Sequence, residues 1–264
     1  MKETSNLTRE DVIELICQNE KNLTNMNFVG SDLSDLYLAA TLLMGANLAE
    51  ANLFNINLRL AHLDCANLFR ANLTHGDLSD AHLPEVNLSG AILEFANLKS
   101  ADLSSANLEF ANLKGASLYG VNLRKANLKF AVLEFVNLEL FYGEEILLQE
   151  AEKTEIKLWR AKLEFANLEG ANMRNANLKG ANLFGAKLLG ADLRGANLAE
   201  TNLSQVNLRG ANLEGANLEG AFLFNADLKL ANLEFSNLSN ANLSEASLSG
   251  ALFKGASLNS AIGL

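Results

Sequence analysis

Four polar residues in the first third of the chain have side chains that could bind a metal ion. They supply imidazole, carboxylate and thiolate groups, the usual zinc ligands, and they are His62, Asp64, Cys65 and His82. A chance grouping of surface residues is the alternative, and it is favoured because the neighbouring positions follow no matching pattern. A Cys–His pair could also supply a nucleophile and its base, but that chemistry needs an enclosed pocket, which nothing nearby predicts. We therefore predict no metal site, although His62, His82 and Cys65 are the candidates for one.

A second group of side chains could form a contact surface for a protein partner. It consists of phenylalanines, three of which follow a glutamate, and its members are Phe95, Phe110, Phe130 and Phe135 with Glu94, Glu109 and Glu134. An exposed aromatic patch usually marks an interaction site. The alternative is that the rings pack along their own surface, or that a helix formed within residues 139–157 lies over them. The same Glu-Phe pair at Phe165 and Phe235 favours this alternative.

No motif predicts catalysis. The sequence has no glycine-rich phosphate loop, no catalytic triad and no paired-cysteine metal motif. We therefore predict a protein that is not an enzyme and that has no catalytic residues and no cofactor.

These residues are carried on a sequence that repeats every five residues. Each unit reads Ala-Asn/Asp-Leu-X-X, most regularly in residues 166–198. The central leucine recurs at every residue number ending in 3 or 8, over 23–138 and 158–258, and 42 of these 45 centres are leucine. A period of five would spread the leucines around a helix or alternate them across a flat strand. They can all point inward only if the chain turns once per unit around a narrow core.

Glycine indicates where the chain turns. Fifteen of the 18 glycines lie two residues after a centre. A type II turn needs a positive φ at its second central residue, which glycine adopts without strain. The two X positions are therefore predicted to form an outward corner. The alanine two residues before each centre is predicted to point inward, where only a small side chain fits.

The repeat resembles that of the pentapeptide-repeat family over roughly residues 23–138 and 158–260. The resemblance implies an all-β solenoid, a right-handed quadrilateral β-helix with four units, or 20 residues, per coil. About 11–12 coils spaced about 4.8 Å apart would give a rod roughly 50–55 Å long. His62 would then lie above His82, and Phe110 above Phe130. The Glu-Phe turns and Asn-rich units are most similar to the large sets of such proteins in cyanobacteria.

Four segments follow from where the repeat starts and stops. Residues 1–22 are predicted to form a helical cap with Thr8 as N-cap, because an open first coil would expose unpaired backbone groups. Residues 23–138 and 158–264 are the two parts of the solenoid. Between them lies an acidic interruption, 139–157, that preserves the five-residue phase. Its strong helix formers favour a loop with a short helix, whereas its apolar residues at inward positions favour a degenerate coil. A third alternative is that this helix caps a second, separately stacked solenoid.

Composition argues against several classes of partner. The net charge is −10, but residues 1–22 contribute −2 and residues 139–157 contribute −4, which leaves −4 for the repeats. Acidic and basic residues alternate around the rod, so direct nucleic-acid binding along a basic stripe is not expected. The first residues lack a secretory signal and no apolar run is long enough to cross a membrane, so a cytoplasmic protein is expected.

The sequence thus predicts a non-enzymatic structural or interaction scaffold, a rigid rod that binds unidentified proteins through its outer faces, its interruption or its ends. An uncharged final segment, ASLNSAIGL, makes an end-to-end homodimer one such interaction. The resemblance implies an alternative, a DNA mimic that binds or protects DNA gyrase, as some family members do in fluoroquinolone resistance. Charge argues against this alternative, because roughly 50 Å of duplex carries about 30 negative charges and the whole chain carries −10.

Overall fold

The chain winds into a four-sided stack of coils. The computed structural model describes residues 7–18, 20–136 and 161–264. Residues 20 positions apart pair as parallel β-bridges, and each side of a coil contributes a single bridged residue rather than a longer strand. The four columns of bridged residues define side A from Asn22 to Ile262, side B from Asn27 to Ser247, side C from Asp32 to Leu252, and side D from Tyr37 to Ser257. Eleven successive bridges along side A confirm the expected number of coils.

The repeat centres form the core of the stack. Every described centre from Leu23 to Leu243 is at most 1% exposed, and the alanines two residues earlier are buried with them. Full burial of a leucine is worth about 1.5–3 kcal/mol, so the column of leucines is the main apolar contribution to stability. The centres of the last described coil, Leu248, Phe253 and Leu258, are only partly buried.

The corners are hydrogen-bonded turns. The N–H of Ala46 donates to the carbonyl oxygen of Leu43 at 3.0 Å, and the second turn residue, Gly45, has a φ of +63°. Every described non-glycine residue with a positive φ occupies the same corner position, including Phe110 at +59°. The left-handed conformation costs a non-glycine residue roughly 1–2 kcal/mol. It is held by the next coil, since the N–H of Phe110 donates to the carbonyl oxygen of Lys129 at 3.0 Å.

The outward asparagines link the coils to one another. The side-chain oxygen of Asn87 accepts a hydrogen bond from the N–H of Ser89 at 3.2 Å, which closes the turn that follows. Its side-chain amide donates to Asn67 in the preceding coil at 2.9 Å. Asn107 donates in turn to Asn87 at 3.5 Å, so the amides form a continuous column on side B. The asparagine of the repeat therefore serves both the turn and the stack.

A short helix covers the first coil, as the sequence predicts. Helix α1 spans Arg9–Cys17, with Thr8 as N-cap and a reciprocal capping box between Thr8 and Asp11. The side chain of Val12 is fully buried in the core cluster, and the N–H of Leu7 donates to the first coil at 2.9 Å. In the described parts of the chain, no helix is long and apolar enough to cross a membrane.

The stack continues across the gap between residues 136 and 161. Asn122 pairs with Lys162, and the N–H of Leu123 donates to the carbonyl oxygen of Lys162 at 2.7 Å. The coil that contains Asn122 therefore stacks directly on the coil that contains Lys162, so the two parts of the repeat form one stack and not two separately stacked solenoids. The spacing between paired residues rises from 20 to 40 here, so each residue stays on its side of the rod. The predicted interruption at 139–157, whether loop with short helix or degenerate coil, lies outside the described residues.

Candidate functional site

Two histidines and an aspartate come together on side A, and we name these residues, His62, Asp64 and His82, the histidine cluster. His62 and His82 are bridged in adjacent coils, with ring centroids 5.7 Å apart, as the 20-residue coil predicts. Asp64 is the first turn residue after Leu63, and its Oδ1 lies 2.9 Å from Nδ1 of His82 in the next coil. One ligand atom from each of the three residues can be chosen so that all lie within 4.8 Å of one another.

The histidine cluster contains polar atoms that lack hydrogen-bond partners among the described residues. Oδ2 of Asp64 and Nδ1 of His82 are buried atoms that make no hydrogen bond with the described residues, although Nδ1 lies 2.9 Å from Oδ1 of Asp64. On the other edge of the ring, Nε2 of His82 lies 3.8 Å from Oδ2 of Asp102. Asp102 is held in place by hydrogen bonds at 2.9 Å from the side chain of Asn122 and the N–H of Ser104. Sequence reasoning missed Asp102, although it occupies the next side A position after His82.

Cys65 does not join the histidine cluster. It is an exposed corner residue with a φ of +55°, and its Sγ lies 4.0 Å from a carboxylate oxygen of Glu85 in the next coil. A corner side chain is directed along its corner column, whereas the residues of the histidine cluster belong to side A and to the turn beside it. The structure therefore brings His62 and His82 together but separates Cys65 from them.

Exposed apolar side chains collect on side C. We name as the aromatic face the side chains of Ile92, Phe95, Phe110, Phe130 and Phe135, which are between 41% and 61% exposed. Phe110 and Phe130 occupy the corner before side C, where their rings stack with centroids 5.3 Å apart. Phe95 and Phe135 occupy the corner after it, and Ile92 lies in the column between the two corners. Sequence reasoning missed Ile92, although it stands where most units have Asn or Asp.

Four glutamates of the Glu-Phe pairs accept hydrogen bonds from the next coil. The carboxylate of Glu94 accepts a hydrogen bond from the side-chain amide of Asn112 at 2.7 Å, and Glu134 accepts one from Asn172 at 2.9 Å. Glu109 accepts one from Asn127 at 3.4 Å and, outside the predicted patch, Glu164 accepts one from Asn182 at 3.0 Å. Each acceptor is the first turn residue of one coil, and each donor lies in the column of the next. These contacts give the glutamates a structural role.

Several of the phenylalanine rings also cover a glycine in the next coil. A Cβ added at Gly115 would lie 2.6 Å from the ring of Phe95, and one added at Gly170 would lie 2.6 Å from the ring of Phe130. The same relation holds beyond the aromatic face, between Phe235 and Gly255. The sequence contains this pairing, because the glycine follows its phenylalanine by 20 residues, or by 40 residues where the gap lies between them. The rings thus have a packing role in addition to their exposure.

Comparison with protein families shows which family this repeat belongs to. A model described as pentapeptide repeats matches in 8 copies, over residues 41–68, 66–104, 101–139, 154–190, 186–223 and 226–262. The chain belongs to the pentapeptide-repeat family. Pentapeptide-repeat proteins form right-handed quadrilateral β-helices, which is the fold that the sequence predicts. No curated protein matches the chain.

Solved pentapeptide-repeat structures resemble the chain to different extents. HetL, involved in heterocyst differentiation regulation in the cyanobacterium Nostoc sp. strain PCC 7120, is 31% identical over 98% of this chain and 97% of its own, with a TM-score of 0.48. Rfr23 of the cyanobacterium Cyanothece 51142 is 34% identical over 52% of this chain and 84% of its own, with a TM-score of 0.34. QnrB1, a plasmid-mediated fluoroquinolone resistance protein, is 18% identical over 74% of this chain and 83% of its own, with a TM-score of 0.35.

Proposed function

We propose that this pentapeptide-repeat protein is a non-catalytic scaffold that binds a protein partner through the aromatic face. The observation that supports this proposal is the concentration of four half-exposed phenylalanines and Ile92 on three consecutive coils. At roughly 200 Å² per side chain, four half-exposed rings present about 400 Å² of apolar surface. A patch of that size on a monomer is often an interaction site.

The surroundings of the aromatic face are suited to a protein surface rather than to a small substrate. The interior beneath it is filled by buried leucine and alanine side chains, so the rings lie on the outside of a packed rod. Nζ of Lys129 lies 5.1 Å from the centroid of the Phe130 ring, and Lys114 lies 3.9 Å from Glu134. An apolar centre with a charged rim is the usual anatomy of a protein interface. We therefore expect the partner to present apolar side chains to this face.

Substituting two of the rings tests this role. Asparagine accepts the left-handed corner conformation, so Phe110→Asn with Phe135→Asn removes apolar surface without straining the backbone. We expect the double variant to lose its partner in affinity capture from the source organism, with recovery falling by at least about tenfold, since buried aromatic anchors dominate interfaces. The readout is quantitative mass spectrometry of the captured proteins.

Phe235→Asn is the matched control for this experiment. Phe235 is equally exposed and occupies the same corner as Phe135, but it lies in a distant coil outside the aromatic face. We expect this control to capture the same proteins as the unsubstituted chain. The proposal is wrong if the double variant also captures an unchanged set of proteins, or if the control loses the same ones.

A second copy of the chain is another partner that we propose. Leu248, Phe253 and Leu258 in the last coil are only partly buried, unlike the equivalent residues of earlier coils. We expect sedimentation equilibrium to show a dimer at micromolar concentration. Leu258→Glu is expected to give a monomer, because a buried carboxylate at the joint would be costly, whereas Leu189→Glu, on an exposed turn, should remain dimeric. A monomeric unsubstituted chain would rule out the end-to-end dimer.

The DNA-mimic alternative gains no support from the surface. Basic side chains pair with acidic ones between coils, as in Arg124 with Glu164 at 3.9 Å and Lys129 with Glu169 at 3.6 Å. Such pairs reduce the negative field that a mimic of duplex DNA needs. The likeness to QnrB1, at 18% identity, adds nothing to the gyrase alternative.

A further inference from the structure

We propose that the histidine cluster binds a divalent transition-metal ion, with zinc as the preferred metal, and that the ion links two neighbouring coils. This site is separate from the proposed interaction face, because the histidine cluster lies on side A and the aromatic face lies on side C. The ligands are His62, Asp64 and His82. Three protein ligands leave the fourth position of a tetrahedral zinc ion to water.

The distances within the histidine cluster match what zinc needs after a small movement. Zinc bonds of about 2.0–2.2 Å place tetrahedral ligand atoms roughly 3.3 Å apart. The pair formed by Asp64 and His82 is already at 2.9 Å, and all three ligand atoms lie within 4.8 Å of one another. His62 is exposed, so its ring can turn toward the ion without disturbing the core. The other two ligands are attached to rigid coils whose backbones are hydrogen-bonded to each other.

The unsatisfied atoms of the histidine cluster are the second observation that points to an ion. In the described part of the chain, buried Oδ2 of Asp64 has no hydrogen-bond partner, and buried Nδ1 of His82 has only its 2.9 Å contact with Oδ1 of Asp64. A buried polar atom without a partner costs free energy. A metal ion coordinated by His82 Nδ1 and the Asp64 carboxylate would supply the missing partner to both residues.

A second carboxylate, beside the one that binds the ion, is expected near a zinc-bound histidine. Such a histidine usually directs its second ring nitrogen to a carboxylate or carbonyl, which orients the ring. Asp102 lies 3.8 Å from Nε2 of His82 and is itself oriented by Asn122 and Ser104. If Nδ1 of His82 binds the ion, Nε2 carries the proton and faces this carboxylate. Asp102 is therefore a positioning residue rather than a ligand.

The ligand types select the class of metal. Two imidazoles with one carboxylate suit zinc and its neighbours in the first transition row, whereas calcium and magnesium prefer oxygen ligands. The ion would join His62 and Asp64 of one coil to His82 of the next. Its effect is therefore to hold two coils together.

Metal titration of the whole chain, purified without a histidine tag and treated with a chelator, tests the proposal. We expect isothermal titration calorimetry to show one zinc ion per chain, and cobalt to give the visible absorption of a tetrahedral site. Zinc should also raise the melting temperature, because a ligand that binds only the folded state stabilises it. Calcium and magnesium should produce neither signal. Absence of zinc binding below millimolar concentration would overturn the proposal.

Variants separate this site from adventitious binding. His62→Ala and Asp64→Asn should each weaken zinc binding by at least tenfold and remove the melting shift. Asp102→Asn should weaken it by about 10–100-fold while one ion still binds. His75→Ala is the matched control, because His75 is exposed but stacks on Phe95 at another corner, and it should bind zinc normally. The proposed ligand set is wrong if His62→Ala binds zinc as tightly as the unsubstituted chain, or if Cys65→Ser abolishes binding.

Discussion

Replacing Leu103 by alanine is expected to lower the free energy of unfolding by about 3–5 kcal/mol, the upper part of the range for buried leucines. Leu103 is a repeat centre with no exposed surface, and its N–H donates to the carbonyl oxygen of Asn122 in the next coil at 2.8 Å. The coils above and below are held at a fixed spacing by such bonds on every side. They cannot collapse into the space left by the missing side chain, so most of the cavity would remain.

Leu189→Ala is the matched control, because it makes the same substitution on an exposed turn. Leu189 is 42% exposed, and its loss should cost less than about 1 kcal/mol. Urea unfolding followed by circular dichroism compares the two variants. Similar losses for Leu103→Ala and Leu189→Ala would contradict the conclusion that the column of centres provides the stability of the rod.

Gly115→Ala is expected to destabilise the chain more than Gly215→Ala, by about a further 1–2 kcal/mol. Both glycines occupy the same corner, with φ of +67° and +65°, so the cost of placing a Cβ in the left-handed region is shared. They differ in their surroundings. A Cβ at Gly115 would meet the Phe95 ring at 2.6 Å, whereas a Cβ at Gly215 has nothing within 4 Å. The additional decrease in the free energy of unfolding for Gly115→Ala therefore measures the cost of displacing the Phe95 ring.

A double-mutant cycle checks this cause. When Phe95 is already alanine, Gly115→Ala should cost no more than Gly215→Ala does alone. The two substitutions at Phe95 and Gly115 should therefore be non-additive, as expected for residues in contact. If the decreases in the free energy of unfolding were strictly additive, the Phe95 ring would not be the reason that Gly115→Ala is more destabilising than Gly215→Ala.

The sequence was sufficient for the features that repeat with the period of the chain. One inward leucine per unit predicts the buried core, and glycine at the corner predicts the positive φ, since each depends only on position within a unit. The stacking of Phe110 on Phe130 follows from the 20-residue coil that the resemblance to pentapeptide-repeat proteins implies. The sequence did not predict that bulky residues such as Phe110 adopt the glycine conformation, because the hydrogen bonds that hold them come from the next coil.

Diagonal contacts were harder to predict than vertical ones. Asp64 meets His82, and Glu94 meets Asn112, at separations of 18 residues rather than 20. In each case a first turn residue leans toward the column of the next coil. The coil length alone places His62 beside His82, but it does not show which way the Asp64 carboxylate turns. The pairing that distinguishes the histidine cluster from two stacked histidines therefore required side-chain coordinates.

The step of 40 residues from Asn122 to Lys162 has a consequence for the architecture of the whole rod. Joining Leu138 directly to Trp159 would remove residues 139–158, one coil length, and would read Val-Asn-Leu-Trp-Arg-Ala, a regular unit. Residues 139–158 therefore leave the phase of the repeat unchanged. The part of the rod that follows them is not rotated relative to the part that precedes them. Each of sides A, B and C therefore faces the same direction before and after the junction between Val136 and Ala161. A segment of one whole coil length can be accommodated at this junction without turning any side of the rod.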